Sequence, residues 1–222
     1  MVTALKNSFY RRTQKRPDLL LLLSLLAVVL LHPALDRGDF RRLTLGALTF
    51  LPVAIATFRL SGMKGWLRPS VSLMAFALLL SVVDVIRPNP TLNGIRWAVL
   101  TVFFGVTVAA LFNYLTQARA TTMAHLYTAA STYLLLGFFW FALYTSIDSF
   151  FPGGIQQSNS LLHDRSTELL YFSLVTLSTI GYGDVVPISG EVRMLAALEG
   201  VTGVLYIAIT VALLVSGYKA RE

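Results

Sequence analysis

The 222-residue chain contains no cysteine. That excludes a disulfide framework and a thiolate metal site. Charge is also scarce. Only 13% of the residues are Asp, Glu, Lys or Arg, against roughly 25% in an ordinary soluble domain. So few charges cannot cover a water-facing surface, which makes a membrane protein the leading class. The three histidines, His32, His125 and His163, are scattered singly. No H-E-x-x-H pair, nucleophile elbow or phosphate loop occurs, so no enzyme is expected. What the chain has in quantity is apolar side chains, 55% of the total, with a formal net charge of +7. In a soluble protein that charge would raise the question of nucleic acid. Here the basic residues flank apolar runs, where they set membrane orientation, and no nucleic-acid partner is expected.

Six apolar segments run roughly over 18–32, 43–60, 70–86, 97–116, 123–147 and 191–217. A helix crossing a bilayer needs about 20 mostly apolar residues, and about 17 suffice. The first segment follows basic residues but lacks a small-residue cleavage site, so it is expected to be retained as a span. Pro52, inside the second, predicts a kink. Counting alternate loops, 11 of the 18 basic residues fall on the side of the N-terminal tail, among them Lys6, Arg11, Arg59, Lys64 and Arg119. That side is predicted cytoplasmic, with both termini inside, although Arg41 and Arg42 on the other side are irregular. The segment at Met123, Leu126, Tyr127 and Ala130 has helical i, i+3, i+4, i+7 spacing. It fits either a coupling helix at the inner interface or the start of the fifth span.

Residues 148–190 then lie outside, between the fifth and sixth spans. They begin with the turn-rich "DSFFPGGIQQSNS" and continue as a helix-like run, 164–177. Ser166 with Asp164 offers N-cap chemistry, and Glu168 suits the positive end of the helix dipole. This helix is too short to span and is expected to be re-entrant. Directly after it comes "TLSTIGYGDVVP", residues 176–187. Irregular backbone at membrane depth is tolerated only where it is buried in protein or lines water, so the segment points to an ion path. Its glycines, Gly181 and Gly183, permit the left-handed backbone needed if successive carbonyls are to face one way.

"TLSTIGYGD" resembles the potassium-channel selectivity filter, T-x-x-T-x-G-Y-G-D, and the resemblance extends over about 121–217. It implies an all-α membrane protein of bacterial type, with six transmembrane helices and a re-entrant pore helix and filter loop between helices five and six. It divides the chain into a cytoplasmic tail (1–17), a four-helix voltage-sensor-like domain (18–120) and a pore domain (121–222). It implies that the carbonyls of Thr179, Ile180, Gly181 and Tyr182, with the Thr179 hydroxyl, coordinate dehydrated K+. Thr176, Gly183 and Asp184 would support the filter, Asp184 by anchoring its outer end. Tyr182 would turn away from the pore and prop the filter on the pore helix. Tyr171 and Phe172 stand where the family often has two tryptophans. One chain supplies one filter strand, so a homotetramer in an inner, or cell, membrane is implied, with lipid as its other partner.

Gly203 falls where the family has a gating-hinge glycine, with close packing as the alternative reading and Gly200 as a competitor. Glu199 lies about two turns into the last span, where carboxylates are expensive and commonly functional. It is expected either to hydrogen-bond behind the filter or to supply pore electrostatics near the cavity. Asp84 reads as interfacial. The fourth segment carries Arg96 and Arg119 at its ends and no cation between. Potassium conduction with weak or absent voltage gating is therefore expected. The alternatives are a less selective cation channel, a secondary transporter, or a non-conducting ancillary subunit; the single loop and the lack of an inverted repeat argue against the transporter. No cofactor other than the permeant K+ is expected, and no soluble ligand-binding domain within this chain, since only "YKARE" follows Gly217.

Overall fold

Each apolar run folds as a helix. The computed structural model describes residues 16–35, 41–60, 65–118, 120–157 and 165–219. The helices are α1 (Arg16–Leu35), α2 (Arg41–Leu60), α3 (Leu67–Ile86), α4 (Pro90–Thr116), α5 (Met123–Phe150), the short α6 (Arg165–Leu177) and α7 (Gly190–Lys219). Among the described residues four are long and apolar enough to cross a membrane: Leu67–Ile86, Pro90–Thr116, Met123–Phe150 and Gly190–Gly217. The apolar stretches Asp18–Pro33 and Phe50–Leu60 are shorter. Pro52 sits inside α2, which continues as one helix on both sides of it.

Helix boundaries follow local chemistry. Asn89 caps α4 by accepting from the Thr91 N–H at 2.9 Å, with Pro90 at the first position, where its missing N–H costs nothing. Thr122 precedes α5, and its N–H donates to His125 Nδ1 at 3.1 Å. No separate coupling helix forms at 123–130. Met123 begins α5 itself, and Met123, Leu126 and Ala130 lie on its exposed side, while Thr128, Ala129, Ser131 and Thr132 are buried.

Helix α5 is the core of the fold. It packs along α4, α1, α6 and α7. Phe138, Phe141 and Tyr144 of α5 are almost wholly buried, with Phe104 of α4 against Phe138 at 5.9 Å and Trp97 against Phe141 at 4.9 Å. Small residues allow close approach: a Cβ on Gly94 would lie 2.7 Å from the Phe150 ring. Polar ties add to the packing, Ser146 Oγ donating to Gly94 O at 3.0 Å and Asn93 Nδ2 to Ser149 Oγ at 2.9 Å.

Two features lie beyond the sequence reading. Arg59 is not a free loop cation. It pairs with the buried Asp18 of α1 and lies over the Tyr114 ring at 4.6 Å, and Asp18 also accepts from Thr128 of α5 at 3.0 Å. Its charge is thus used to join α1, α2 and α5. Among the described residues the fold is helical apart from one small ladder. Ile155–Gln157 (β1) and Val185–Pro187 (β2) pair antiparallel, Ile155 with Pro187 and Gln157 with Val185. Three-residue strands carry too little alternation to be read from sequence.

Candidate functional site

The site is built around α6, a helix of 13 residues with Leu169, Leu170, Phe172, Ser173 and Leu177 on its buried side. Its start is tied down by Arg165. That guanidinium donates to both carboxylate oxygens of Asp148 (Nη2–Oδ1 2.6 Å, Nε–Oδ2 3.0 Å), to Glu168 Oε2 (3.2 Å) and to Ile155 O (2.9 Å). The Asp148 hydrogen bonds hold the Arg165 pKa above its ordinary value. One side chain thereby joins the end of α5, the β1 loop and α6. Asp164, expected as a cap, lies outside the described residues. Ser166 does not cap the helix; it faces His32 of α1, Oγ to Nε2 at 3.3 Å, beside a Thr167 Oγ1–His32 Nδ1 contact of 3.0 Å.

The other end of α6 has a Schellman-type termination. Ile180 N–H donates to Val175 O and Thr179 N–H to Thr176 O, both at 3.0 Å. The left-handed position that this motif requires is filled by Thr179, at φ 59°, where glycine is usual. Gly181 (φ 54°) and Gly183 (φ 81°) follow in the same region, so alternate residues across 179–183 are left-handed. A Cβ on Gly181 or Gly183 would meet nothing within 4 Å. Backbone conformation, not crowding, is what calls for glycine there. A β-branched residue at positive φ is strained by about 1–2 kcal/mol, so Thr179 is held by the surrounding bonds. Its sign was not legible in the sequence.

Thr179, Ile180, Gly181, Tyr182, Gly183 and Asp184 are all exposed in the single chain. Tyr182 is 70% exposed, and its ring stacks parallel on Tyr171 of α6 at 6.5 Å. Tyr171 Oη donates to Asp184 Oδ2 at 2.8 Å, while Asp184 Oδ1 accepts from the Val185 N–H at 3.1 Å. Partial desolvation, with the hydrogen bond to Asp184, pushes the Tyr171 phenol up to about 12, so it remains a donor at neutral pH. Phe172 points the other way, edge-on to Tyr144 at 5.2 Å. The aromatic pair thus divides: Tyr171 holds the outer end of the segment and Phe172 the core.

Behind the segment stands α7. It is an unbroken helix through Gly200 and Gly203. A Cβ on Gly203 would lie 2.1 Å from Leu177 O, so this glycine admits the end of α6, whereas one on Gly200 would be 3.7 Å from Thr176 O. Tyr133 of α5 donates to the same Leu177 carbonyl at 3.3 Å. Glu199 has no exposed surface. Its Oε2 accepts from Tyr144 Oη at 2.7 Å and its Oε1 contacts Ser173 Oγ at 2.7 Å. It therefore lies behind α6, away from the exposed face of 179–184. Tyr144 and Ser173 were missed by sequence reading; a carboxyl in an apolar run signals that donors must exist but not where they are.

The "Ion channel" family matches residues 98–218, more than half of the chain. The chain belongs to this ion-channel family. The family is one of ion channels and not of enzymes, and its match takes in three of the helices long enough to cross a membrane. A Rhodopseudomonas palustris protein provisionally named as a potassium channel is 41% identical to this chain over 52 residues. That match covers 23% of this chain and spans 13% of the relative's length. No solved structure matches the chain.

Proposed function

We propose that this chain is one subunit of a homotetrameric potassium channel in the cell membrane, with Thr179, Ile180, Gly181 and Tyr182 lining the ion path. The observation that carries the reading is the alternation of left-handed φ at Thr179, Gly181 and Gly183 directly after α6. Alternate handedness turns successive carbonyls toward one side, where four such strands can replace the water lost by a dehydrated K+. Thr176, Gly183 and Asp184 support that stretch. The relative's name agrees with potassium as the ion.

Six helices, α1–α5 and α7, cross the membrane in this reading, with both termini cytoplasmic and α6 re-entering from outside. Residues 18–120 form the peripheral four-helix unit and 121–222 the pore unit. The tetramer is favoured by exposed apolar side chains along α7, including Met194, Leu198, Val201, Leu205 and Val211. They, with the exposed 179–184 segment, are covered when copies assemble about an axis. The negative C-terminal end of α6 then faces the central cavity and favours a cation there. Gly203 is the point about which α7 bends if its contact with Leu177 is released.

The test is potassium-versus-sodium flux from purified protein in liposomes, with barium as blocker. Potassium flux that barium stops, with little sodium flux, is the expected result. Equal flux of both ions would make it an unselective cation channel, and no flux from an assembled tetramer would make it an ancillary subunit.

A further inference from the structure

Glu199 poses a proton-counting problem. Three short contacts meet in one buried place: Tyr144 Oη to Glu199 Oε2 at 2.7 Å, Ser173 Oγ to Glu199 Oε1 at 2.7 Å, and Ser173 Oγ to Gly137 O at 2.8 Å. Ser173 and Glu199 have no exposed surface and Tyr144 has 1%. Gly137 O is a backbone carbonyl and can only accept. Ser173 has one hydroxyl proton. If Glu199 were a carboxylate it too could only accept, and one proton would have to serve two contacts. One of them would then set lone pair against lone pair at hydrogen-bond distance.

An ionised Glu199 would also need a counter-charge, since burying a lone carboxylate is among the costliest steps a fold can take. The ion pairs among the described residues are those of Arg59 and Arg165, and neither includes Glu199. Among the described residues the ionisable side chains that face it are Tyr144 and Tyr133, both from α5, and α6 presents Ser173. A single proton on Oε1 resolves the count. Glu199 then donates to Ser173 Oγ, Ser173 donates to Gly137 O, and Tyr144 donates to Oε2. Each contact has its own proton and no charge is buried.

The place matters as much as the charge. Ser173 is on α6, Gly137 and Tyr144 on α5, and Glu199 on α7. Gly137 permits the close approach, because a Cβ there would lie 2.8 Å from Leu174 Cδ2. Nearer the end of α6, Tyr133 and Gly203 bracket Leu177 O. We propose that Glu199 is held as a neutral carboxylic acid and that its Tyr144–Glu199–Ser173 bridge clamps α6 between α5 and α7, positioning the segment that begins at Thr179. Glu199 is thus a positioning residue and not an electrostatic attractor of cations. The positioning part rests on the ion-path reading above; the protonation part does not.

The experiment has two arms on the full-length protein in lipid at neutral pH. Infrared spectroscopy should show the carbonyl band of a protonated carboxylic acid that disappears in Glu199→Gln and shifts in Tyr144→Phe. A carboxylate band lost in its place would overturn the neutral state. In flux, Glu199→Gln keeps a donor for Ser173 and an acceptor for Tyr144, so potassium flux and selectivity should stay within about twofold of the parent. Ser173→Ala and Glu199→Ala leave buried groups unpaired and should lower the potassium-to-sodium ratio by roughly tenfold. Glu199→Gln behaving like Glu199→Ala would mean the charge matters, and Ser173→Ala with unchanged selectivity would remove the clamp. Where the alanine variants fail to assemble, Tyr144→Phe decides: a lowered ratio supports the clamp and an unchanged one overturns it. Should the parent protein itself pass no potassium, the ion-path reading fails while the infrared arm still decides the proton.

Discussion

Arg59 and Glu199 both sit in apolar helices, and the two halves of the chain satisfy them in opposite ways. In residues 16–116 the ionisable group meets an opposite charge: Arg59 pairs with Asp18, 2% exposed, and so ties α1 to α2 and, through Thr128, to α5. In residues 123–219 Glu199 meets hydroxyls among the described residues, and polar contacts gather around α6: Ser173, Tyr144, Tyr133 and Tyr171. The first half uses polarity to fasten helices together. The second uses it to hold one short helix and the strained backbone that follows. Changes in the second half should therefore alter which ion passes, and changes in the first should alter assembly or nothing.

The largest expected effect is at Gly181. Its φ of 54° suits glycine, and space around it is open. Gly181→Ala should abolish potassium flux and leave the assembled complex intact on cross-linking, because only the backbone of an exposed segment is disturbed. Unchanged flux would dissolve the contrast between the two halves.

Next comes the pair Gly203 and Gly200. Gly203→Ala forces a methyl to 2.1 Å from Leu177 O, so α6 and α7 must part, whereas Gly200→Ala adds an ordinary contact at 3.7 Å to Thr176 O. Overpacking of the first kind costs typically 1–3 kcal/mol. Thermal stability of the detergent-solubilised complex should drop for Gly203→Ala, with loss of selectivity, and hardly move for Gly200→Ala. A Gly203→Ala protein of parental stability whose current no longer opens or closes would favour a hinge over a contact.

Arg59→Gln probes the first half. It leaves Asp18 buried with its charge unmatched, a change that typically costs about 3–5 kcal/mol. Yield and thermal stability should fall, while the potassium-to-sodium ratio of whatever assembles should equal the parent's. A changed ratio would mean that α1 and α2 reach the ion path, and His32 against Ser166 and Thr167 offers the route by which they would do so.

These contrasts also show what could be read beforehand. The helices were legible because long apolar runs have few other outcomes, and α6 because a 13-residue helix with Glu168 near its start precedes a glycine-bearing stretch. The positive φ of Gly181 and Gly183 was legible from residue type. That of Thr179 was not, since threonine disfavours the conformation and only the helix end beneath it imposes it. The partners of Arg59 and Glu199 were hidden for a different reason. Asp18 and Arg59 are 41 positions apart and Tyr144 and Glu199 are 55 apart, so only tertiary packing brings them together. The β1–β2 pair failed on length, and Gly203 showed its place only once Leu177 O was seen against it.

The smallest expected effect is at Arg96, and it concerns voltage. Arg119, at the far end of the fourth apolar segment, lies outside the described residues. Arg96 is held near the start of α4, donating to Asn93 Oδ1 at 2.6 Å and lying 5.1 Å from the Trp97 ring. No other cation occurs along Pro90–Thr116. A charge crossing the whole field contributes about 2.3 kcal/mol per 100 mV, and steep gating needs several such charges in each subunit. One arginine fixed by its own neighbours supplies little of that. The conductance–voltage relation in a planar bilayer should be shallow, and Arg96→Gln should leave its slope unchanged. A steep relation abolished by that one substitution would show that Arg96 moves through the field, and that the first half of the chain does more than fasten helices.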